Sequence, residues 1–415
     1  MNEEVDRARR IALDLLQADQ QHIDHGLELH RHALVIESYG FSPRGCIDAE
    51  RIEQLAAEGA SDYELRETME EMGLTSVATE AHLAREYRDA FDAAGVDCIF
   101  QNAGEEGQSA LQLLKRLGNF TYVTDMLTDF MHRAVAPDDI PKAKELGKHC
   151  LYLSGNGVPL REEWKNVQEE LRYVRIFFQL GIRMMHLTYN RRNMLGDGCA
   201  EKTDAGLSNF GEAAVREMNR VGAMVDVAHS GWQTCIDAAH VSDQPIVASH
   251  SGAHALSGHI RCKTDEVMRA IVDKGGTVGV CCIPAFLGRS GDINAFLDHI
   301  DYIARNFGVD AVTIGTDRAY TPAAASEARK KLSALRTMRH RFEYFWPVDD
   351  PLFDAQWKDQ AKQQSLAWSN WPVFTVGLVQ RGYSDDDIQK ILGGNILRVA
   401  RQVFRPPLEN ADSAR

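Results

Sequence analysis

Between residues 209 and 320 short apolar runs alternate with amphipathic stretches, and this alternation restricts the fold more than any other feature of the chain. "GEAAVREMNRVG" reads as helix, "AMVDVAHS" as strand, "WQTCIDAAHVS" as helix and "PIVASHS" as strand. The pattern continues through "TDEVMRAIVDKGG" and "TVGVCCIPAF", then "INAFLDHIDYIARNFG" and "AVTIGTDRAY". Short apolar strands separated by helices of about ten or more residues imply right-handed βαβ crossovers and a parallel sheet.

Upstream, "HALVIESYGF", "GVDCIFQNAG", "KHCLYLSGNG" and "IRMMHLTYN" add four more strand candidates, giving about eight before Tyr320. That count fits an α/β (β/α)8 TIM barrel better than an open sheet. A chain of 415 residues, 44% hydrophobic, can bury such a core as one domain spanning 1–415. An N-terminal helix over 1–31 and a helical, aromatic-rich insertion over 319–372 at the barrel mouth are expected as additions. "SDYELRETMEEMG" opens on a serine cap and closes on glycine, and "ALQLLKRLGNFTYVTDMLTDFMHRA" reads as helix around a short break. The C-terminal "YSDDDIQKILGGNILRVARQVF" reads as a capped helix, a glycine break and a final helix.

The net charge of −14 and the absence of a strong basic run argue against nucleic acid or an anionic membrane as partner. Eight cysteines are scattered with no C-x-x-C pair, so reduced thiols in a cytoplasm are expected. The charged N-terminus lacks a signal-peptide core, and no run approaches the length of a membrane span.

His229 and His250 each follow an apolar run and precede a serine, in "AHS" and "SHS". In a parallel barrel, functional groups gather at the C-terminal ends of strands, so these imidazoles can converge. Asp317, in "TIGTDRAY", falls at the end of the last strand and faces the same mouth. Two imidazoles and a carboxylate suit one divalent ion, zinc above all, with iron or manganese as alternatives. A lone histidine at a strand end is more often a hydrogen-bonded structural residue, and metal-free acid–base chemistry by the same groups stays open.

The run "LTYNRRNMLGDGCAEKTDAGLSNFGEAAVREMNRVGAMVDVAHSGWQT" resembles the renal (membrane) dipeptidase family of zinc peptidases, within the amidohydrolase superfamily. The likeness continues through "PIVASHSGAHALSGHIRCKTDE", "VDAVTIGTD" and "LGGNILRV", and more weakly at "ELHRHALVIES". It implies a barrel whose mouth holds a two-zinc centre that hydrolyses an amide bond. His229 and His250 match two histidine ligands, Asp317 an acid for proton transfer, and Arg261 an arginine that grips a substrate carboxylate.

The chain also departs from that pattern. Tyr39 and Phe41 stand where the family has a His-x-Asp ligand pair, and Ser154 and Gly155 lie near the place of a metal-bridging glutamate. Tyr189 replaces a histidine, and Ile283 lies near a tyrosine position. These substitutions leave room for at most one metal, on His229 and His250, with Glu37 as a compensating ligand. Tyr39 and Tyr189 become candidate substrate-binding residues beside Arg261. His22, His25, His30 and His32 are expected in solvated or capping roles. The expected function is dipeptidase-like, metal-dependent hydrolysis of a small carboxylate-bearing molecule. The alternatives are a silent or metal-free barrel that binds a small molecule, and lyase-type chemistry on one metal. A homodimer is expected, with Phe345 and Trp346 as a candidate contact.

Overall fold

Every run read as a strand forms one, and the described residues add a ninth. The strands are β1 (Ile36–Gly40), β2 (Cys98–Asn102), β3 (Met131–Ala134), β4 (His149–Gly155), β5 (Met184–His186), β6 (Met224–Asp226), β7 (Ile246–Ser251), β8 (Thr277–Val280) and β9 (Val312–Ile314). The computed structural model describes residues 3–104, 110–161, 163, 165–332 and 345–405. All strand pairs are parallel, in the order β1-β2-β4-β5-β6-β7-β8-β9. β3 lies beside the first half of β4, whose second half pairs with β5. The expected break in the preceding helix is absent: Ala110–Met126 is continuous, and β3 comes from the "MHRA" read as its tail.

The ends of the path meet just beyond β1 and β9. Phe41 N–H donates to the Arg318 carbonyl at 3.3 Å and Arg44 N–H to the Tyr320 carbonyl at 2.8 Å. Eight parallel strands so joined and wrapped by helices are a (β/α)8 TIM barrel.

Inward and outward side chains form two cores. Val225, Ala248, Val278 and Ile314 pack outward against the helices. Ile36, Phe100, Tyr152, Met184, Met224 and Val247 fill the barrel together with Ile396, Val399 and Val403 of the helix Asn395–Val403. That helix plugs the end where the strands begin, because Gly393 packs against the start of β1. A Cβ there would lie 2.3 Å from the Leu34 carbonyl oxygen. The expected glycine break at 393–394 is a π-helical turn, Lys390–Gly394, that keeps the helix continuous through this approach. Near the mouth the barrel is tighter still. A Cβ at Gly279 would lie 1.9 Å from the Ser249 carbonyl oxygen.

Other sequence expectations meet local packing. Ser61 caps Asp62–Thr79 through a reciprocal bond with Glu64, yet this helix runs past Gly73. The buried stripe of Leu65, Leu74 and Val77 outweighs the low helix propensity of one glycine. The N-terminal segment is two helices, Glu3–Leu16 and Gln20–His32, the second capped by Asp19. His30 is not solvated. It is buried between Thr375 Oγ1 and the Ala94 carbonyl, and burial pushes its pKa down to about 4.

The insertion contains the helix Ala323–Lys330 and a series of single turns from Pro351 to Asn370. Its stretch 333–344 lies outside the described residues. Trp346 is buried against Phe286 and His259, and Phe345 meets Tyr189 edge-on. Both aromatic side chains named as a candidate subunit contact thus have packing partners within the chain. All eight cysteines are free thiols. No helix among the described residues is long and apolar enough to cross a membrane.

Candidate metal centre

Three neighbouring strands bring three imidazoles together. His186 ends β5, His250 lies within β7, and His229 stands in the turn three residues beyond β6. All three are buried, and one donor nitrogen from each lies within 4.8 Å of the others. Sequence reasoning found two of them and missed His186. The signal was there, since "IRMMH" is an apolar strand ending in histidine, as its two partners are.

The neighbours of each ring set its tautomer. His229 Nδ1 lies 2.7 Å from Asn190 Oδ1, an acceptor, so this nitrogen carries the proton and Nε2 presents a lone pair. Asn190 Oδ1 also accepts from Cys199 Sγ at 3.3 Å, which agrees with the amide orientation. His250 Nδ1 lies 2.8 Å from Ser249 Oγ. The two Nε2 atoms face each other at 2.9 Å. Burial, reinforced by the Arg261 charge, holds the pKa of both rings well below the usual histidine value, so both are neutral at pH 7.

His186 is held differently. Its Nδ1 lies 3.1 Å from the Gly155 carbonyl, and its Nε2 lies 2.9 Å from Asp226 Oδ2. The latter pair is close but out of line for a hydrogen bond, leaving both atoms buried without an aligned partner. Asp226 Oδ1 accepts from the Ala228 and Ser249 N–H groups at 2.9 and 3.1 Å. Burial pushes the Asp226 carboxyl up, but His186 and these two donors outweigh it, and the net shift is downward.

The opposite side of the mouth, where β1 meets β9, is built otherwise. Tyr39 lies flat on His250, with centroids 3.7 Å apart, and Phe41 meets Tyr39 edge-on. Glu37 is buried but does not join the histidines. Its Oε1 accepts from the Thr316 N–H and hydroxyl, and its Oε2 from Trp368 Nε1–H at 2.8 Å. Both oxygens are engaged in tying β1 to β9 and to the insertion, so Glu37 supplies no free ligand. Burial pushes its carboxyl up to about 8 in spite of these donors.

A cavity of about 260 Å³ reaches His229 and is also lined by Tyr39, Tyr189 and Asp317 among others. Tyr189 tilts over His229 at 4.3 Å. Asp317 has a backbone φ of 56°, a left-handed conformation that costs most side chains energy and that aspartate tolerates better than most. Arg261 is fully buried. Its Nη1 donates to the Ala228 carbonyl, next to His229, while Nε and Nη2 have no partner among the described residues.

Among the described residues, this donor set does not fit two ions. Where two first-strand ligands would be needed stand Tyr39, committed to stacking, and Phe41, which has no donor atom. Ser154, near the place of a bridging acid, gives its hydroxyl to the Gln101 carbonyl at 3.1 Å. One ion does fit. Two neutral imidazoles face each other through Nε2, their far nitrogens are oriented by partners, and His186 Nε2 lacks an aligned acceptor.

The sequence model of the membrane dipeptidase family (peptidase family M19) matches residues 27–335. Dipeptidase tcpJ from Claviceps purpurea (strain 20.1) is 26% identical over 286 residues, 68% of this chain. That match spans 57% of the relative's own length. Among solved structures, an amidohydrolase from Pseudomonas aeruginosa superposes with a TM-score of 0.66 at 24% identity, covering 91% of this chain and 99% of that one. A metallopeptidase from Rhodobacter sphaeroides, liganded with a phosphinate mimic of L-Ala-D-Ala, gives 0.62 at 16% identity, covering 90% and 99%. At these identities the likeness shows the shared fold.

Proposed function

The chain belongs to the membrane dipeptidase family, and from that premise we propose that it is a hydrolase of small amide substrates working with one divalent metal ion. The observation that carries this reading is the convergence of His186, His229 and His250 from three adjacent strands into one buried cluster. His229 and His250 would hold the ion through Nε2, and His186 is the third donor. An ion held there supplies Lewis-acid polarisation of the amide.

The protein's own groups supply the rest. Arg261 presents the Nε/Nη2 edge of its guanidinium, the edge that matches a carboxylate through two parallel bonds, and this edge has no acceptor among the described residues. It is the assigned grip for the substrate carboxylate. Asp317, on the cavity wall, takes the proton that the attacking water must lose and returns it to the leaving amine. Tyr39 and Tyr189 form aromatic walls beside the imidazoles that exclude water from them.

Elemental analysis of protein purified without added metal, beside the His229→Ala/His250→Ala variant, tests this reading. About one zinc, iron or manganese per chain is expected in the parent and none in the variant. Hydrolysis of dipeptides and N-acyl amino acids should stop with a chelator and resume with metal. L-Ala-D-Ala belongs in the screen because its mimic is bound in the Rhodobacter neighbour. A parent without stoichiometric metal, with activity indifferent to chelation, overturns the proposal.

One observation favours a second reading. The 2.9 Å between the two Nε2 atoms is also a hydrogen-bond length. If Ser249 donates to His250 Nδ1, then His250 Nε2–H can donate to His229, and the pair is satisfied without metal. The barrel would then use acid–base chemistry or bind a small molecule without turnover.

A further inference from the structure

Beside the histidine cavity lies a larger cleft of about 670 Å³, lined by Arg44, Arg66, Arg116, Arg318 and Arg329. Two acids, Glu70 and Asp317, share its walls. The chain as a whole carries a net charge of −14, so this concentration of guanidinium groups runs against its overall balance. The two spaces adjoin: Arg44, Glu70, Arg116 and Asp317 line both.

The arginines are not equally committed. Arg116 pairs with Glu70 and donates to the Gly104 carbonyl. Arg318 donates through Nε to the Cys282 carbonyl at 2.9 Å. Arg44 rests over the Phe41 ring at 5.3 Å and makes no hydrogen bond through its guanidinium to a described residue. Burial lowers its pKa to about 10; Glu70 opposes this, while the like charges of Arg116 and Arg329 add to it. Arg44 is still a cation at neutral pH, held among cations in a recess with restricted solvent. Such a group is stabilised by a ligand of opposite charge, and several forks facing one space suit an anion with two or more oxygens.

We propose that this cleft binds an oxyanion carried by the substrate, a phosphate or a second carboxylate, separate from the carboxylate assigned to Arg261. The proposal rests on the reading of the site given above, and it narrows the substrate to an amide whose far end is acidic. Arg44 and Arg318 form the inner contacts and Arg329, on the exposed helix Ala323–Lys330, the outer one. A neutral dipeptide would leave five guanidinium groups facing only two carboxyl groups.

Calorimetric titration of inorganic phosphate and of glutarate, into the parent and into Arg44→Lys and Arg329→Glu, tests it. Arg329 is exposed, so its replacement puts no folding at risk, and thermal melting checks both variants. At least one anion should bind the parent and bind both variants about tenfold more weakly or worse. Tighter phosphate points to phosphorylated substrates, and tighter glutarate to dicarboxylates. In the parent, kcat/KM for Glu-Ala or O-phosphoserine-Ala should exceed that for Ala-Ala by about tenfold. If neither anion binds the parent, or Arg329→Glu binds as the parent does, the proposal is overturned even when Ala-Ala is hydrolysed. If no amide is cleaved but anion binding depends on these arginines, the cleft stands and the hydrolase reading falls.

Discussion

The arc of β5, β6 and β7 and the junction of β1 with β9 occupy the same end of one barrel, yet they treat buried polar groups in opposite ways. On the arc, His229 and His250 have their far nitrogens oriented while their Nε2 atoms remain directed at shared space. At the junction, the buried carboxyl group of Glu37 is consumed by Thr316 and Trp368, and the aromatic Tyr39 takes the space beside His250. Strand ends deliver side chains largely independently, so one part of a barrel mouth can keep metal donors while another becomes structural. What separates the two regions is that the arc leaves His186 Nε2 and Asp226 Oδ2 buried without an aligned partner among the described residues, whereas both Glu37 oxygens are engaged.

The largest expected effect concerns the junction. Glu37 has a folded-state pKa of about 8 against an ordinary 4.5, because burial penalises its charge. The native protein therefore holds a proton that the unfolded chain releases between these values. The contribution of Glu37 to stability is fully present below about pH 4.5, falls as pH rises through about 8, and levels off above that. Glu37→Gln cannot titrate. The stability difference, parent minus variant, should fall by about 5 kcal/mol across this window. Urea midpoints measured at several pH values would show it, and parallel curves for the two proteins would mean that the carboxylate is not buried as described.

The β/α alternation made the barrel legible, because each apolar run is buried and Ser208, Thr264 and Asp292 cap the helices Asn209–Val221, Asp265–Asp273 and Ile293–Phe307. β3 was hidden because "MHRA" is too short and too polar to stand out from the helix before it. At the site, the convergence of His229 and His250 and the place of Asp317 on the cavity wall were legible from their position after apolar runs, whereas the role given to Arg261 is proposed from the resemblance alone. His186 obeyed the same positional rule, since it ends an apolar strand, but was passed over for Tyr189 three residues on. Glu37 was misread because a carboxylate at a strand end carries no mark of its partners. Those partners, Thr316 and Trp368, lie 279 and 331 residues away. The arginine cleft was invisible for the same reason, since Arg44, Arg116, Arg318 and Arg329 come together only when the barrel closes.

On the arc, Asp226→Asn should have a smaller but twofold effect. The replacement amide can still accept from Ala228 and Ser249, but it removes the negative charge facing His186. A cost of about 2 kcal/mol in urea unfolding is expected for weakening a buried pair whose shape is kept. Metal affinity, followed by competition with a chromophoric chelator, should fall by roughly 10- to 100-fold, the range for partners that orient a ligand. Unchanged metal affinity together with the stability loss would reduce His186 and Asp226 to a structural pair and leave two donors.

The smallest effect is the most discriminating one. Ser249→Ala removes the hydroxyl beside His250 Nδ1, while the Ser249 backbone stays fixed, its carbonyl accepting from Ser38 Oγ at 2.7 Å. A loss of about 1 kcal/mol is expected, the usual net value of one buried hydrogen bond. If His250 donates from Nδ1 to the serine, its Nε2 is a ligand, and the variant should lose about tenfold in metal affinity as well. If the serine donates instead, His250 Nε2 already carries a proton shared with His229, and no metal affinity is there to lose. Nitrogen chemical shifts of the two imidazoles in the parent and in Ser249→Ala separate these tautomers directly. The hydroxyl that matters least to stability therefore decides which way the arc faces, toward an ion or toward its own second histidine.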